Sequence, residues 1–287
     1  MSDFDEQSIT QAVLDRVQTS QDPRTLEVSQ ALVRHLHAFL REVEPTMAEW
    51  EAGIDFLTRT GHMCTPTRQE FILLSDTLGA SMLVDAMNHR FPKAATQTTV
   101  LGPFYVQEPP EAANGSDISG DAPGDPLLVE GTVRDLDGRP LAGAVVDTWQ
   151  ADDDGYYDVQ LDDAGTLLRA RLRTDAEGRF SFWGVVPSPY PIPDDGPVGD
   201  MLTAQGRHPY RPAHVHFMVS APEHVRLVTH LFLADDPYLD SDAVFGVKAS
   251  LVRSLTSTHV DAIPSGRSAP DGGVAHLQAD FILAREA

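Results

Sequence analysis

The chain has 287 residues, 41% of them hydrophobic and 22% charged, which is ordinary for a soluble globular protein and enough for one large domain or two modest ones. Its formal net charge of −22 weighs against nucleic acid or an anionic membrane surface as a partner, because both reward basic patches. The single cysteine, Cys64, excludes an internal disulfide, suits a reducing compartment and carries no motif that would activate it as a nucleophile.

The N-terminal Met1-Ser2-Asp3-Phe4-Asp5-Glu6 is acidic and has neither a basic n-region nor an apolar h-region, so the chain reads as cytoplasmic, with no secretory signal. Residues up to about Arg90 read as helical. From Arg24 to Val43 the apolar residues Val28, Leu32, Leu36, Phe39, Leu40 and Val43 recur at three- and four-residue spacings, which predicts an amphipathic helix. A second helix is expected from an N-cap at Thr46 through Trp50, Ile54 and Leu57 to a stop at Gly61. Thr67-Arg68-Gln69-Glu70 has the form of a capping box and introduces a third helix, Phe71 to Met87. That segment is apolar nearly all round, which predicts burial, yet Ser75, Asp76 and Asp85 make it too polar to span a bilayer. Asp76 is a site candidate there, since a buried carboxylate is costly unless paired; pairing with a nearby Ser, Thr or backbone N–H is the plainer alternative.

The character changes around Pro92, and a Pro/Gly/Ala/Asp-rich stretch runs to Pro126. Short strands follow: Leu128 to Arg134 and Ala144 to Trp149, read as a hairpin about the turn Asp137-Gly138-Arg139-Pro140, then Gly178–Val185, Pro212–Ser220, Leu227–Leu233 and Val274–Leu283. The expected class is α+β: a helical region over residues 1–95, then an antiparallel β-sandwich over 96–287.

The chemistry concentrates at Arg211-Pro212-Ala213-His214-Val215-His216. On a strand, His214 and His216 share one face while Val215 and Phe217 take the other, which makes half a metal site or simply two hydrogen-bonded histidines. Tyr157 sits in the polar turn Asp152–Asp158, and Tyr190 in a loop stiffened by Pro187, Pro189, Pro191 and Pro193. Either tyrosine alone is more simply a packing aromatic.

Taken in order, Tyr157, Tyr190, His214 and His216, with Arg211 in R-P-A-H-x-H, resemble the two-Tyr/two-His ferric site of the intradiol ring-cleavage dioxygenases. Leu101-Gly102-Pro103-Phe104-Tyr105 and Gly131–Trp149 extend the resemblance over most of the chain. It implies one Fe(3+) per subunit held by those four residues, with Tyr190 also accepting a substrate proton and Arg211 stabilising charge on the ring. The substrates implied are a catecholic diol or triol and O2. It implies too a homodimer joined through the N-terminal helices, with a phospholipid trapped there. The donor chemistry agrees: phenolate is a hard oxygen ligand suited to Fe(III), whereas zinc sites are built from Cys, His and carboxylates.

Arg68–Asp76 and Leu239–Lys248 are most similar to the branch that cleaves hydroxyquinol, benzene-1,2,4-triol. The resemblance implies a ring pocket lined by Leu73, Asp76, Val100, Gly102, Pro103, Phe104, Ile192, Pro193, Arg211 and Val244. His230 stands where catechol enzymes typically carry Gln, in the pocket or merely packed. Asp76 would bond the third hydroxyl, and the product would be 3-hydroxy-cis,cis-muconate or maleylacetate. Two alternatives stay open: a catechol or chlorocatechol 1,2-dioxygenase giving a cis,cis-muconate, and a non-enzymatic transthyretin-like β-sandwich binding module. Tyr210 is the nearest competitor of Tyr190 as a ligand, ranked below it.

Overall fold

The structure, a computed structural model, describes residues 3–65, 68–161, 165–264, 266–267 and 273–286. The chain divides into two compact units, Met1–Arg59 and Thr60–Ala287. The first holds α1 (Ile9–Val17), α2 (Pro23–Val43) and most of α3 (Met47–His62). α2 begins where the Asp22 carboxylate accepts from the backbone N–H groups of Arg24 and Thr25 at 3.4 and 2.8 Å, with Pro23 at the first helical position. α3 opens on a reciprocal cap: Glu49 N–H donates to Thr46 Oγ1 at 3.3 Å, and Thr46 N–H donates to the Glu49 carboxylate at 2.8 Å. It runs through Gly61, the expected stop, to His62. The predicted apolar stripe of α2 is present but uncovered, with Val28, Leu32, Leu36, Phe39 and Val43 all exposed, as are Trp50, Ile54 and Leu57 on α3.

The second unit begins with α4 (Glu70–Thr77) and α5 (Ala80–Asn88), where one buried helix was expected. Gly79, at φ +72, breaks the segment in two. Only α4 then has a buried face; no residue of α5 is buried. Leu73 and Asp76 are buried, whereas Phe71, Ile72, Leu78, Leu83, Val84 and Met87 are exposed. All-round apolarity here marks an exposed apolar surface rather than a core helix. Thr67 of the expected capping box lies outside the described residues.

The strands are β1 (Ser116–Asp117), β2 (Pro126–Asp135), β3 (Val145–Gln150), β4 (Arg169–Arg173), β5 (Arg179–Val185), β6 (Tyr190–Pro191), β7 (Tyr210–Arg211), β8 (His214–Ser220), β9 (Leu227–Leu233), β10 (Val252–Arg253), β11 (Thr256–Thr258), β12 (Val274–Gln278) and β13 (Phe281–Leu283). A third helix of this unit, α6 (Pro197–Ala204), lies between β6 and β7. One sheet has the order β1-β5-β2-β12-β11, with β13 also paired to β2; the other runs β10-β9-β8-β3-β4; β6 and β7 form a separate ribbon. Leu127, Val129, Phe180 and Phe182 of the first sheet and Val146, Val215, Phe217 and Leu231 of the second share one buried core, so the sandwich is present.

It is not antiparallel throughout. β1 pairs with β5, β12 and β13 with β2, and β10 with β9, all in parallel. Alternation reports which face a residue takes, not strand direction, and long connections such as the one from β2 to β12 permit parallel pairing. The expected hairpin forms only at its tip, where Arg134 bridges Pro140 antiparallel and the N–H groups of Asp135 and Leu141 donate to the carbonyls of Arg139 and Val133, both at 2.9 Å. Beyond that tip β2 pairs with β5, β12 and β13, whereas β3 pairs with β4 and β8, so the chain arches from one sheet to the other. The Asp135 carboxylate holds that arch, accepting from the N–H groups of Asp137 and Arg139, both at 2.9 Å.

Candidate metal centre

β8 is the middle strand of its sheet, and its register sets His216 opposite Trp149 on β3 and opposite His230 on β9. Val215 and Phe217 enter the core, so both faces of β8 are buried and each histidine is about 1% exposed. The Trp149 ring stacks on His216 at 4.6 Å. On His214, Nδ1 lies 2.6 Å from the Pro212 carbonyl. A carbonyl only accepts, so Nδ1 carries the proton and Nε2 keeps its lone pair.

The two tyrosines arrive by different routes. Tyr157 precedes a 3₁₀ turn at Asp158–Gln160, where its N–H donates to the Gln160 side chain at 2.9 Å. Tyr190 is on β6, directly across the ribbon from Arg211 on β7. Tyr157 Oη lies 2.9 Å from His216 Nε2, 3.5 Å from His214 Nε2 and 3.3 Å from Tyr190 Oη, and the two imidazole Nε2 atoms stand 3.0 Å apart. Donors about 2 Å from a common ion, arranged tetrahedrally, stand about 3.3 Å from one another, so these four atoms are spaced as a ligand set.

Burial and the nearby Arg211 charge push the His214 imidazole down to about 3, and burial holds His216 well below the usual histidine range. Both rings are therefore neutral at physiological pH; His214 Nε2 presents a lone pair to the site, and the buried Nδ1 of His216 has no hydrogen-bond partner. Burial, and then the neighbouring Tyr190, hold the Tyr157 phenol well above its ordinary value, so only a metal charge would make it a phenolate.

His230 completes a group of three buried histidines whose nitrogens lie within 4.8 Å of one another. Its surroundings suit a buttress rather than a third nitrogen ligand. Nδ1 lies 3.3 Å from Arg211 Nη2 and 3.2 Å from Thr99 Oγ1, and the ring also hydrogen-bonds the Val100 backbone. Arg211 and Thr99 thus already occupy Nδ1, and the Val100 backbone takes a further bond from the ring.

The expected pocket residues divide into those brought together and those only nearby. Leu73, Ile192 and Val244 are buried in one cluster, with Val100 packed against it. Phe104 stacks on Tyr157 at 4.4 Å and meets Tyr190 edge-on at 6.2 Å. Gly102, at φ +78, passes so close to His216 that a Cβ would sit 3.1 Å from its Cε1, so only glycine leaves that ring in place. Pro103 is exposed and Pro193 half-buried. Asp76 is 5% exposed; burial raises its pKa, while a hydrogen bond from Ser81 and the Arg211 charge oppose the rise. The expected Ser partner is therefore present, and so is electrostatic contact with Arg211. Tyr210 stacks on Tyr238 at 4.8 Å and is not among the four donors.

Sequence reasoning missed two buried ion pairs that border the site. Asp158 and Arg169 pair through Nε–Oδ2 at 2.6 Å and a second N–H, and Arg169 Nη1 donates to the Phe104 carbonyl at 3.0 Å, bracing the ring that stacks on Tyr157. Asp242 pairs with Arg211. Each carboxylate was hidden in an acid-rich loop that reads as solvated; the signal was proximity to the site motifs.

Residues 100–276 match the family described as "Dioxygenase", and residues 22–96 the one described as "Catechol dioxygenase N terminus". The chain is 52% identical to a hydroxyquinol 1,2-dioxygenase of Nocardioides simplex, over 97% of this chain and 95% of that one. It is 54% identical to a 6-chlorohydroxyquinol 1,2-dioxygenase of Cupriavidus pinatubonensis, over 88% and 92%. The crystal structure of hydroxyquinol 1,2-dioxygenase from Pseudomonas putida DLL-E4 superposes with a TM-score of 0.91 at 49% identity, covering 98% of this chain and 99% of that one. With two tyrosines and two histidines converging at its centre and these relatives over nearly its whole length, the chain belongs to the intradiol ring-cleavage dioxygenases.

Proposed function

We propose that the chain is a ferric dioxygenase that cleaves hydroxyquinol between its two ortho-hydroxylated carbons, giving 3-hydroxy-cis,cis-muconate or its tautomer maleylacetate. The observation that carries the reading is a buried carboxylate, Asp76, within electrostatic reach of Arg211 beside the four converging donors. The names of relatives about half identical to the chain support it. Tyr157, Tyr190, His214 and His216 would hold Fe(3+), because two phenolates favour the ferric ion over zinc. When bound, that ion supplies the Lewis acidity and redox chemistry that activate a catecholate toward O2.

The chain's own residues do the rest. Leu73, Val100, Phe104, Ile192 and Val244 form apolar walls that hold the ring and exclude water, with Gly102, Pro103 and Pro193 adjoining them. Tyr190 Oη takes the proton of one substrate hydroxyl. The Arg211 guanidinium faces the ring and stabilises the negative charge that develops on it. His230 holds Arg211 from the side. Asp76 offers the third hydroxyl an acceptor oxygen in either protonation state, and that bond is missing for catechol.

The uncovered apolar residues of α2 and α3 support a homodimer joined through the N-terminal helices, and a groove of about 340 Å³ along Arg24, Val28, Ala31, Leu32 and His35 supports a bound phospholipid chain. Among the described residues no helix is long and apolar enough to cross a membrane. The lone thiol of Cys64 supports a cytoplasmic location. One preparation tests the metal and assembly together. The purified protein is expected to carry about one iron per chain, to show a visible tyrosinate-to-iron band and to sediment as a dimer at micromolar concentration. A colourless, iron-free protein would refute the ferric reading, and a monodisperse monomer would refute the dimer.

A further inference from the structure

We infer that Asp242 is a positioning residue that acts through Arg211, and that the turn Asp242–Gly246 is the socket that aims the guanidinium. The inference rests on the role proposed for Arg211 above. Both partners are removed from water, with side chains 3% and 2% exposed. A buried guanidinium needs a countercharge, and Asp242 supplies it. Asp242 Oδ1 accepts from Arg211 Nε at 3.1 Å and from Val244 N–H at 3.3 Å; Oδ2 accepts from Arg211 Nη2 at 3.4 Å and from Gly246 N–H at 2.8 Å. One carboxylate thus grips one edge of the guanidinium and also shapes the turn that carries the pocket residue Val244. With that edge held, Nη1 is left facing His214 Nε2 at 3.3 Å, and Nη2 meets His230 at 3.3 Å.

The turn is also tied down at Ala243, whose N–H donates to the Tyr210 carbonyl at 3.1 Å and whose carbonyl accepts from Arg207 Nη2 at 2.9 Å. Beyond it lies an open cleft of about 420 Å³, lined by Arg207, His208, Leu239, Asp242, Phe245 and Val247 among others. Gly246 closes the socket. A Cβ there would lie 3.0 Å from Arg211 Nη2 and 3.1 Å from Asp242 Oδ2, so any side chain pushes on the ion pair itself. Its φ is not in the left-handed region, so Gly246→Ala perturbs this contact without backbone strain.

The test is a double-mutant cycle on the iron-loaded enzyme with Arg211→Gln, Asp242→Asn and Gly246→Ala, following oxygen uptake with hydroxyquinol. Asp242→Asn is expected to lower kcat/KM about tenfold, mostly through kcat, when Arg211 is present, and to change it less than about twofold in the Arg211→Gln background. Gly246→Ala is expected to follow the same pattern, and it carries the test if Asp242→Asn fails to fold. Iron content and the visible band are expected to stay at wild-type values in both. Equal losses in the two backgrounds, or loss of iron, would overturn the inference. If Arg211→Gln alone leaves the rate unchanged, the role proposed for Arg211 fails instead.

Discussion

Replacing Tyr157 with Phe is expected to lower kcat/KM at least about 100-fold and to remove most of the visible charge-transfer band, while the fold survives. The magnitude follows from metal sites in general, where even partners outside the ligand set are worth about 10- to 100-fold, so an oxygen ligand costs no less. The fold survives because Phe keeps the ring that stacks on Phe104 and fits the same fully buried volume. What disappears is the oxygen 2.9 Å from His216 Nε2 and 3.3 Å from Tyr190 Oη. Two neutral imidazoles and one phenol make a weaker and less selective site for a ferric ion. Iron per chain, absorbance and steady-state rates on one preparation check this, with thermal unfolding as the control. Wild-type turnover in Tyr157→Phe would remove that residue from the ligand set.

Replacing Asp76 with Ala is expected to lower the hydroxyquinol-to-catechol ratio of kcat/KM about 10- to 100-fold. A hydrogen bond to a charged partner is worth about 1.5–3 kcal/mol, and catechol has no hydroxyl that makes it. Asp76→Asn keeps an acceptor oxygen and is expected to retain part of the preference. The structure supplies a competing role for Asp76, its hydrogen bond with Ser81, and the ratio separates the two. A purely structural Asp76 would lower both substrates together and leave the ratio where it was.

The legible part of this protein was whatever repeats at short range. The two-residue spacing of His214 and His216 was enough to place both rings on one face of β8, and α2 follows its three- and four-residue apolar spacing. Tyr157 and Tyr190 carried no such signal alone; they were found because four residues occur together in a familiar order. What the sequence hid was pairing across long separations. Asp242 lies 31 residues from Arg211, in a loop whose aspartates look solvated, and Arg169 is buried on an arginine-rich strand, which apolar alternation does not reveal. The Asp137–Pro140 turn reverses the chain as read, but turn chemistry does not say which sheet receives the next strand. The segment after Phe71 looked like core because an apolar surface reads the same whether its own fold or another molecule covers it.

Oxygen uptake by the iron-loaded enzyme, measured with hydroxyquinol and with catechol in one buffer, tests the central claim most directly. The account predicts one O2 consumed per ring cleaved and a kcat/KM for hydroxyquinol at least about tenfold above that for catechol. Equal or faster cleavage of catechol would contradict the assigned substrate, and no uptake with either would contradict the assigned chemistry.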